Sequence, residues 1–202
     1  MLQKVQVAGI IDQRIEKTGI SVAYPEIVGL NILGVQAGVN AQIKAAVRKM
    51  MVAQGSEAAE LVQMEGSYTV EINEKGLLSI RFENYARKVT QGSGRTLLKA
   101  LTFDLATGVL YSFKDLFNPH LPYHDLLNSL IQEQIRQKSL PTTGPVPGVA
   151  DDQDFYLMRS SMVIIFPELI FTPHVLGPPE IKLSFQLLRE LINPLGPLQR
   201  LM

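Results

Sequence analysis

Two histidines are the first residues in this sequence that could hold a metal ion. His120 and His124 have the spacing of two ligands on one face of a helix. Pro122 lies between them, and proline is tolerated in the first turn of a helix but not in its interior. We therefore expect His120 to precede the helix and to face elsewhere, and we predict no metal site here.

A second group that could bind a cation is a cluster of three aspartates. Asp151, Asp152 and Asp154 lie close together, as carboxylates do in a calcium or magnesium loop. The ligand spacing of an EF-hand and its distal glutamate are both missing. The sequence therefore favours an acidic, solvated turn over a metal site.

Few residues are suited to catalysis. The chain contains no cysteine and three histidines, which excludes a thiol nucleophile, a disulfide and thiolate metal sites. No serine lies in a nucleophile elbow, and Gly92-Ser93-Gly94 completes no phosphate-binding motif. We expect a noncatalytic protein without a cofactor. The alternative is a small cell-wall hydrolase, which needs two carboxylates to converge in a cleft. The candidates are Glu65, Glu71, Asp151 and Asp154.

The chain is neutral overall but contains one basic stretch. Its 19 Lys and Arg residues balance 19 Asp and Glu residues, so it lacks the global field of a nonspecific nucleic-acid binder. Between Glu83 and Asp104 there is no acidic residue, and Gly92 and Gly94 place the middle of this stretch in a loop. One interpretation is a solvated loop. The other is a contact with an acidic protein face or an anionic wall polymer. The basic residues are Arg87, Lys88, Arg95 and Lys99.

Two amphipathic helices must position these residues. Apolar residues recur with the helical period from Val35 to Met51, which predicts a helix over 35–54 that ends at Gly55. The same period from Tyr123 to Ile135 predicts a second helix over 122–138. A shorter helical pattern follows over 187–192.

Alternating apolar and polar residues predict antiparallel strands. Asn73-Glu74-Lys75-Gly76 provides the turn of one hairpin, and Pro25 is expected to interrupt the first strand pair. The segment 162–166 is apolar throughout, which predicts a strand buried on both faces. The predicted strand pairs are 4–16 with 18–24, hairpins at 65–85, 99–112 and 154–166, and a last strand at 181–185.

Together these elements predict an α+β fold in which two long helices pack on antiparallel hairpins. The order of elements suggests two similar ββαββ-like halves, 1–95 and 96–202, within one unit. We expect one core to contain residues from the apolar side of the helices and of the buried strand. These residues are Met50, Leu127, Ile131, Ile164 and Phe166.

Five short motifs follow one another in a fixed order along the chain. They are Tyr24-Pro25-Glu26-Ile27-Val28-Gly29-Leu30, Val39-Asn40-Ala41-Gln42-Ile43, Thr102-Phe103-Asp104-Leu105-Ala106-Thr107-Gly108, Asp115-Leu116-Phe117 and Gln153-Asp154-Phe155-Tyr156-Leu157. Together they resemble a known bacterial family of unknown function, over residues 18–190. The domain of that family also forms the extracytoplasmic C-terminal part of RsiV-type anti-sigma factors and accompanies PdaC-type peptidoglycan deacetylases. The resemblance implies an α+β domain without a catalytic centre of its own, often at the cell envelope, that senses a ligand or associates with the wall.

The motif residues also have structural interpretations, which we favour. Asp104 and Gly108 suit a turn, and Asp115 suits a helix cap. Asn40 can tie the first helix to a neighbouring loop through backbone hydrogen bonds. The aromatic motif residues suit the core: Phe103, Phe117 and Phe155.

The two ends of the chain carry further expectations. The segment 194–202 keeps three leucines and a methionine, so it should either pack on its own domain or mediate a homodimer. No stretch reaches the roughly 18–20 apolar residues of a membrane span, and Met1–Gln6 does not begin an export signal. As the sequence stands we expect a cytoplasmic protein, and an extracytoplasmic one if a signal was removed.

Overall fold

The N-terminal half of the chain is built around a mostly antiparallel sheet. In a computed structural model, which describes residues 7–90 and 92–202, five strands lie in the order β1-β2-β3-β4-β5. Only the short β2–β3 pair is parallel. The strands are β1 (Gly9–Lys17), β2 (Ile20–Val28), β3 (Leu61–Glu74), β4 (Leu77–Lys88) and β5 (Arg95–Asp104).

Two predictions about these strands have different outcomes. The hairpin predicted over 65–85 is confirmed by the antiparallel β3–β4 pair, whose turn places Lys75 and Gly76 at positive φ. The interruption predicted at Pro25 is wrong, because β2 continues through it to Val28. The β2–β3 pairing ends at Val22, so Pro25 lies where one edge of β2 is open and a missing N–H is tolerated.

Helix α1 (Leu33–Ala53) covers one face of this sheet and confirms the helix predicted over 35–54. Its buried stripe recurs at helical spacing because one side must be removed from water. The buried residues of α1 are Val39, Ile43, Val47, Met50 and Met51. They pack against sheet residues that include Val22, Ile27, Met64, Leu78, Ile80, Phe82, Leu101 and Phe103.

Asn40 ties α1 to the sheet as a polar residue on the edge of the buried stripe. Its side-chain oxygen accepts a hydrogen bond from the Ile27 N–H at 2.7 Å, and its amide donates to the Ile27 carbonyl at 2.8 Å. Ile27 belongs to the outer part of β2, which has only β1 as a strand partner. Asn40 therefore makes the predicted backbone bonds, but to a strand rather than to a loop.

The C-terminal half forms a second, three-stranded antiparallel sheet in the order β6-β7-β8. All five residues of β7 are buried, as predicted, and the hairpin over 154–166 and the helix over 122–138 are confirmed. The short helix ends earlier than predicted. The elements are α2 (Tyr123–Gln137), β6 (Phe155–Met158), β7 (Ser161–Ile165), β8 (Glu180–Ser184) and α3 (Phe185–Leu188), with 3₁₀ turns at Phe113–Leu116, His174–Leu176 and Pro197–Arg200.

The prediction of one shared core is wrong for Met50. It belongs to the cluster beneath α1, whereas the other four predicted core residues belong to a second cluster around α2 and the three-stranded sheet. Strand β4 contributes to both clusters, because Leu78 faces α1 and Leu77 joins the second cluster. Successive side chains of a strand point to opposite faces, so the five-stranded sheet separates the two cores.

The hairpin predicted over 99–112 is wrong in its second strand. Strand β5 pairs with β4, and Leu110 forms only an isolated bridge with Phe103. The chain turns away at once into the 3₁₀ turn, where the Asp115 carboxylate accepts from the Ser112 N–H at 2.7 Å. Strand β5, assigned to the second half, thus completes the first sheet, and the two halves do not share one order of elements. The division into 1–95 and 96–202 stays a prediction.

Asp104 organises the turn that follows β5. Its carboxylate accepts from the N–H groups of Ala106 and Thr107 at 2.8 and 2.9 Å, and Gly108 completes the turn at a φ of +76°. The same carboxylate accepts from Arg200 at 2.5 Å. The turn predicted from Asp104 and Gly108 is confirmed, and it also anchors the end of the chain.

The segment 194–202 packs on its own chain. Leu198 and Leu201 are buried in the second core, whereas Leu195 is 95% exposed. The homodimer stays a prediction. Within residues 7–90 and 92–202, no helix has the length and apolar character needed to cross a membrane. The expectation for Met1–Gln6 lies outside the described residues.

We predict that Asn40→Ala lowers the free energy of unfolding by about 1–3 kcal/mol, because it leaves a backbone N–H and carbonyl of Ile27 without their partner. Urea denaturation monitored by circular dichroism measures this loss. Gln42→Ala on the same helix is the control, since its hydrogen bonds are long, at 3.4 Å. It should change stability by less than about 0.5 kcal/mol. Equal losses in the two variants would contradict the anchoring role of Asn40.

The Asp104–Arg200 pair should make stability depend on pH. Burial would raise the pKa of the Asp104 carboxyl, but Arg200 and the N–H groups of Thr107 and Ala106 outweigh burial and hold that pKa below its ordinary value. A carboxyl whose pKa is lower in the folded than in the unfolded state stabilises the folded protein. This stabilisation is fully present at pH values above the unfolded-state pKa of about 3.9. That stability is lost as the pH falls through the folded value.

Arg200→Met should therefore cost about 1–3 kcal/mol at neutral pH, and the cost should shrink as the pH falls below about 4. Urea unfolding of the variant and the parent at neutral and acidic pH gives the comparison. Arg159→Met removes a more exposed pair, 3.4 Å from Glu74, and serves as the control. A cost for Arg200→Met that stays constant with pH would refute the assignment.

Candidate functional site

Two adjoining cavities lie beside β5 and form one continuous depression. Their volumes are about 430 and 530 Å³. We call the combined depression the β5 groove. One wall is the end of β5 and the turn at 92–94, and the other is formed by the segments 150–154, 165–168 and 174–180. Both cavities are lined by Thr96, Leu98, Glu168 and Pro178.

The groove follows the outer edge of β5, the last strand of its sheet. At one end this edge is occupied, because the Thr102 carbonyl accepts from the Tyr111 N–H at 2.8 Å and the Ala100 N–H donates to the Asp154 carboxylate. Even-numbered residues of β5 therefore direct their backbone groups outward. Thr96 and Leu98 follow the same alternation. Within the described residues no strand pairs with them on that side.

The four basic residues predicted as a binding surface lie in different surroundings in the structure. Arg87 and Arg95 line the groove near the turn at 92–94. Lys99 forms an ion pair with Asp154 at 2.5 Å. Lys88 follows Arg87 on β4, and successive strand residues point to opposite faces, so Lys88 lies on the α1 side of the sheet. Arg87, Lys88 and Arg95 form no ion pair with any residue in the described ranges.

The turn at 92–94 packs closely against Tyr85 because it has a glycine, Gly94, at the point of contact. A Cβ atom on Gly94 would lie 2.2 Å from the ring of Tyr85. Tyr85 and Gly94 both line the larger cavity. A side chain at this position would have to displace the Tyr85 ring, so Gly94 gives the Gly-Ser-Gly motif a packing role. Gln91 lies outside the described residues.

Glu168 and His174 form a polar pair in the groove that the sequence analysis missed. The Oε1 atom of Glu168 lies 2.6 Å from the Nδ1 atom of His174. The Glu168 side chain is only 8% exposed, and its buried Oε2 atom has no hydrogen-bond partner among residues 7–90 and 92–202. No periodic pattern or motif marks the loop between β7 and β8, so the sequence contains no signal for this pair.

Arg81 and Glu180 connect the two sheets at the floor of the groove. The guanidinium of Arg81 on β4 donates two hydrogen bonds to Glu180 on β8, at 2.9 and 3.0 Å, and one to Glu83 at 2.9 Å. Burial lowers the pKa of Arg81, but these carboxylates outweigh burial and raise it. The Tyr156 hydroxyl donates a hydrogen bond to Glu180 at 2.8 Å. Burial, and to a lesser degree this bond, raise the pKa of the Tyr156 hydroxyl.

The four carboxylates proposed for a hydrolase have different surroundings. Glu65 accepts from the Gln63 amide at 2.7 Å, and Asp151 accepts from the Tyr123 hydroxyl at 2.8 Å. Burial raises the pKa of Glu71, although Arg81 lowers it. Burial also raises the pKa of Asp154 by more than Lys99 lowers it. Of the four, only Asp154 lines the β5 groove.

The residues considered for metal binding do not form one cluster in the described structure. His124 pairs with Asp151 at 3.0 Å, whereas His120 precedes α2, as expected. Asp154 belongs to the groove and pairs with Lys99. Within the part of the chain that the structure describes, no group of three His, Cys, Asp or Glu side chains could hold a metal ion.

Comparisons with known proteins identify a related family and its fold. Residues 114–186 match the model of a family described as protein of unknown function (DUF3298). A solved DUF3298 member from Bacteroides fragilis is similar at 16% identity, with a TM-score of 0.61 over 94% of this chain and 93% of that one. A DUF3298 protein from Pseudomonas aeruginosa is similar at 12% identity, with a TM-score of 0.67 over 98% and 96%. The curated proteins contain no match.

These comparisons support part of the resemblance seen in the motifs. They relate the chain to a family of unknown function, and the two solved structures share its α+β fold along nearly the whole length. The more specific resemblance to RsiV-type anti-sigma factors and PdaC-type deacetylases stays a prediction.

Glu180→Gln should destabilise the protein more than Glu83→Gln, although both remove a carboxylate from Arg81. The Glu180 side chain is 27% exposed and holds Arg81 through two bonds, whereas Glu83 is 44% exposed and holds it through one. We expect about 2–4 kcal/mol for Glu180→Gln and less than about 1 kcal/mol for Glu83→Gln. Chemical denaturation of both variants tests the order, and the reverse order would contradict it.

Proposed function

We propose that this chain is a noncatalytic binding module that holds an anionic ligand or an acidic protein face in the β5 groove. The observation that carries the proposal is the contrast between the basic side chains of the groove. Arg81 and His174 already contact carboxylates. Arg87 and Arg95 form no ion pair with the described residues, although both line the groove.

Arginine is well suited to this role. Its guanidinium presents a planar set of donors that matches the geometry of carboxylate and phosphate groups. Two of the acidic residues that line the groove with these arginines already have partners, since Glu83 contacts Arg81 and Glu168 contacts His174. An incoming anion would therefore meet two guanidinium groups that form no ion pair with a carboxylate of the described residues.

The surroundings of the carboxylates support binding more than hydrolysis. Glu65, Asp151 and Asp154 are each bonded to a different side chain. A glycosidase pair needs two carboxylates facing each other across the substrate. The Glu168–His174 pair has the arrangement that orients a general base. Ser93 lines the same cavity, but within the described residues it makes no hydrogen bond to His174.

A role at the cell envelope is the finer part of the proposal. It rests on the motif resemblance, whose relatives often sense ligands or associate with the wall outside the cytoplasm. Anionic wall polymers carry phosphate and carboxylate groups, which are the groups that arginine recognises. An acidic face on another protein offers the same chemistry.

We expect the chain to bind poly-L-glutamate and purified wall teichoic acid in an association that weakens as salt rises from about 50 to about 500 mM, because exposed charges are screened. Biolayer interferometry measures the association and dissociation rates. The double variant Arg87→Glu and Arg95→Glu should slow association at least about tenfold, since electrostatic attraction acts mainly on the association rate.

Lys88→Glu is the matched control for this experiment. It reverses a charge in the same basic stretch, at a residue that lines neither cavity of the groove. It should leave association with both polymers within about twofold of the parent, given the small effect of one exposed charge. A loss as large as that of the double variant would place binding outside the groove. Failure of both polymers to bind the parent chain would reject the proposed anionic ligand.

A further inference from the structure

We propose that the occupant of the β5 groove is an extended acidic peptide that adds to the sheet as a strand beside β5. This inference rests on the proposed function and specifies its ligand. The free edge at Thr96 and Leu98 provides backbone donors and acceptors, and the two arginines provide charge. Strand addition uses main-chain hydrogen bonds for affinity and alternate side chains for specificity.

The free part of the edge is short and has a defined end. The Asp154 carboxylate accepts the Ala100 N–H and so occupies the edge at that point. Toward the turn at 92–94 the edge stays open along the groove, where Thr96 and Leu98 line both cavities. A new strand would lie about 4.8 Å from β5. It would run between β5 and the opposite wall at 165–168.

The arginines specify where acidic residues should lie in the peptide. Arg95 is paired with Ala86 and so shares its face of the sheet, whereas Arg87 shares the opposite face with Tyr85. Neighbouring side chains of an added strand also point to opposite faces. Two consecutive acidic residues beside the turn at 92–94 would therefore each face one arginine.

The far end of the groove favours a different residue. Asp152 and Asp154 line the groove there, and Asp152 forms no ion pair with the described part of the chain. A like charge beside Asp152 would be repelled, so the peptide should be uncharged or basic at that end. The groove therefore favours a peptide that is acidic at the end beside the turn at 92–94 and uncharged or basic at the other end.

Glu168 provides a second and independent indication of a ligand. Its side chain is 92% buried, it lines both cavities, and its Oε2 atom receives no hydrogen bond from the described residues. A buried acceptor without a donor is costly. An added strand has one edge toward β5 and the other toward the wall that contains Glu168. The backbone N–H groups on that outer edge are donors of the kind that Oε2 lacks.

The test uses the whole chain and two fluorescein-labelled peptides, Glu-Glu-Val-Thr-Val-Lys and its reverse, Lys-Val-Thr-Val-Glu-Glu, because either strand direction is possible. Fluorescence anisotropy measures binding. At least one peptide should bind, and N-methylation of its three central amides should weaken binding at least about tenfold, since the methyl groups remove the N–H donors of a strand. Equal binding of the methylated peptide would overturn strand addition.

A protein variant tests the same bonds from the other side. Thr96→Pro removes the outward N–H, and proline is tolerated on an edge strand where its N–H faces away from the sheet. It should weaken the peptide at least about tenfold with an unchanged circular dichroism spectrum. Thr96→Val keeps the N–H and should bind within about twofold. If Thr96→Pro unfolds, the methylated peptide decides alone.

The outcomes separate this inference from the proposed function. Binding of poly-L-glutamate that depends on Arg87 and Arg95, with no binding of either peptide, overturns strand addition and leaves the anionic groove intact. Peptide binding that is unaffected by N-methylation does the same. If neither peptide nor polymer binds, both proposals fail.

Discussion

The burial of β4 on both faces is the constraint on which the rest of the structure depends. Leu78 packs beneath α1, and Leu77 joins the core around α2. A polar group on such a strand is costly when it lacks a partner, because an unsatisfied buried group costs about 1–3 kcal/mol. Ser79 meets this requirement by accepting the Leu157 N–H at 2.9 Å, and Arg81 meets it through Glu180.

These two contacts also explain how the sheets are held against each other. Leu157 lies on β6 and Glu180 on β8, so both edge strands of the small sheet bond to β4. Beside them, Leu98 and Ala100 of β5 pack on apolar residues of β6 and β7. The two sheets therefore stack without joining into one. The outer edge of β5 is left unpaired where they separate, and this separation forms the groove.

The charges around the groove follow from the same geometry. A chain of zero net charge can still carry a local field when its ion pairs are unevenly distributed. Asp154 neutralises Lys99, and Glu180 and Glu83 neutralise Arg81. Arg87 and Arg95 line the groove and form no ion pair with the described residues. Of the basic stretch seen in the sequence, two arginines at one end of the groove therefore remain available to an anion.

Most local structure could be predicted from the sequence, because it depends on residues close together in the chain. The stripes of α1 and α2, the β3–β4 hairpin and the turn at Asp104 all follow from periodicity and turn chemistry over short distances. The groove could not be predicted in this way. Arg81 and Glu180 are far apart in the sequence and occur in no motif, and their contact depends on how the two sheets stack. The sequence also could not show that the five-stranded sheet is covered on both faces, or that Met50 lies in a separate core. Periodicity determines which side of an element is apolar, whereas only the tertiary structure decides what that side faces.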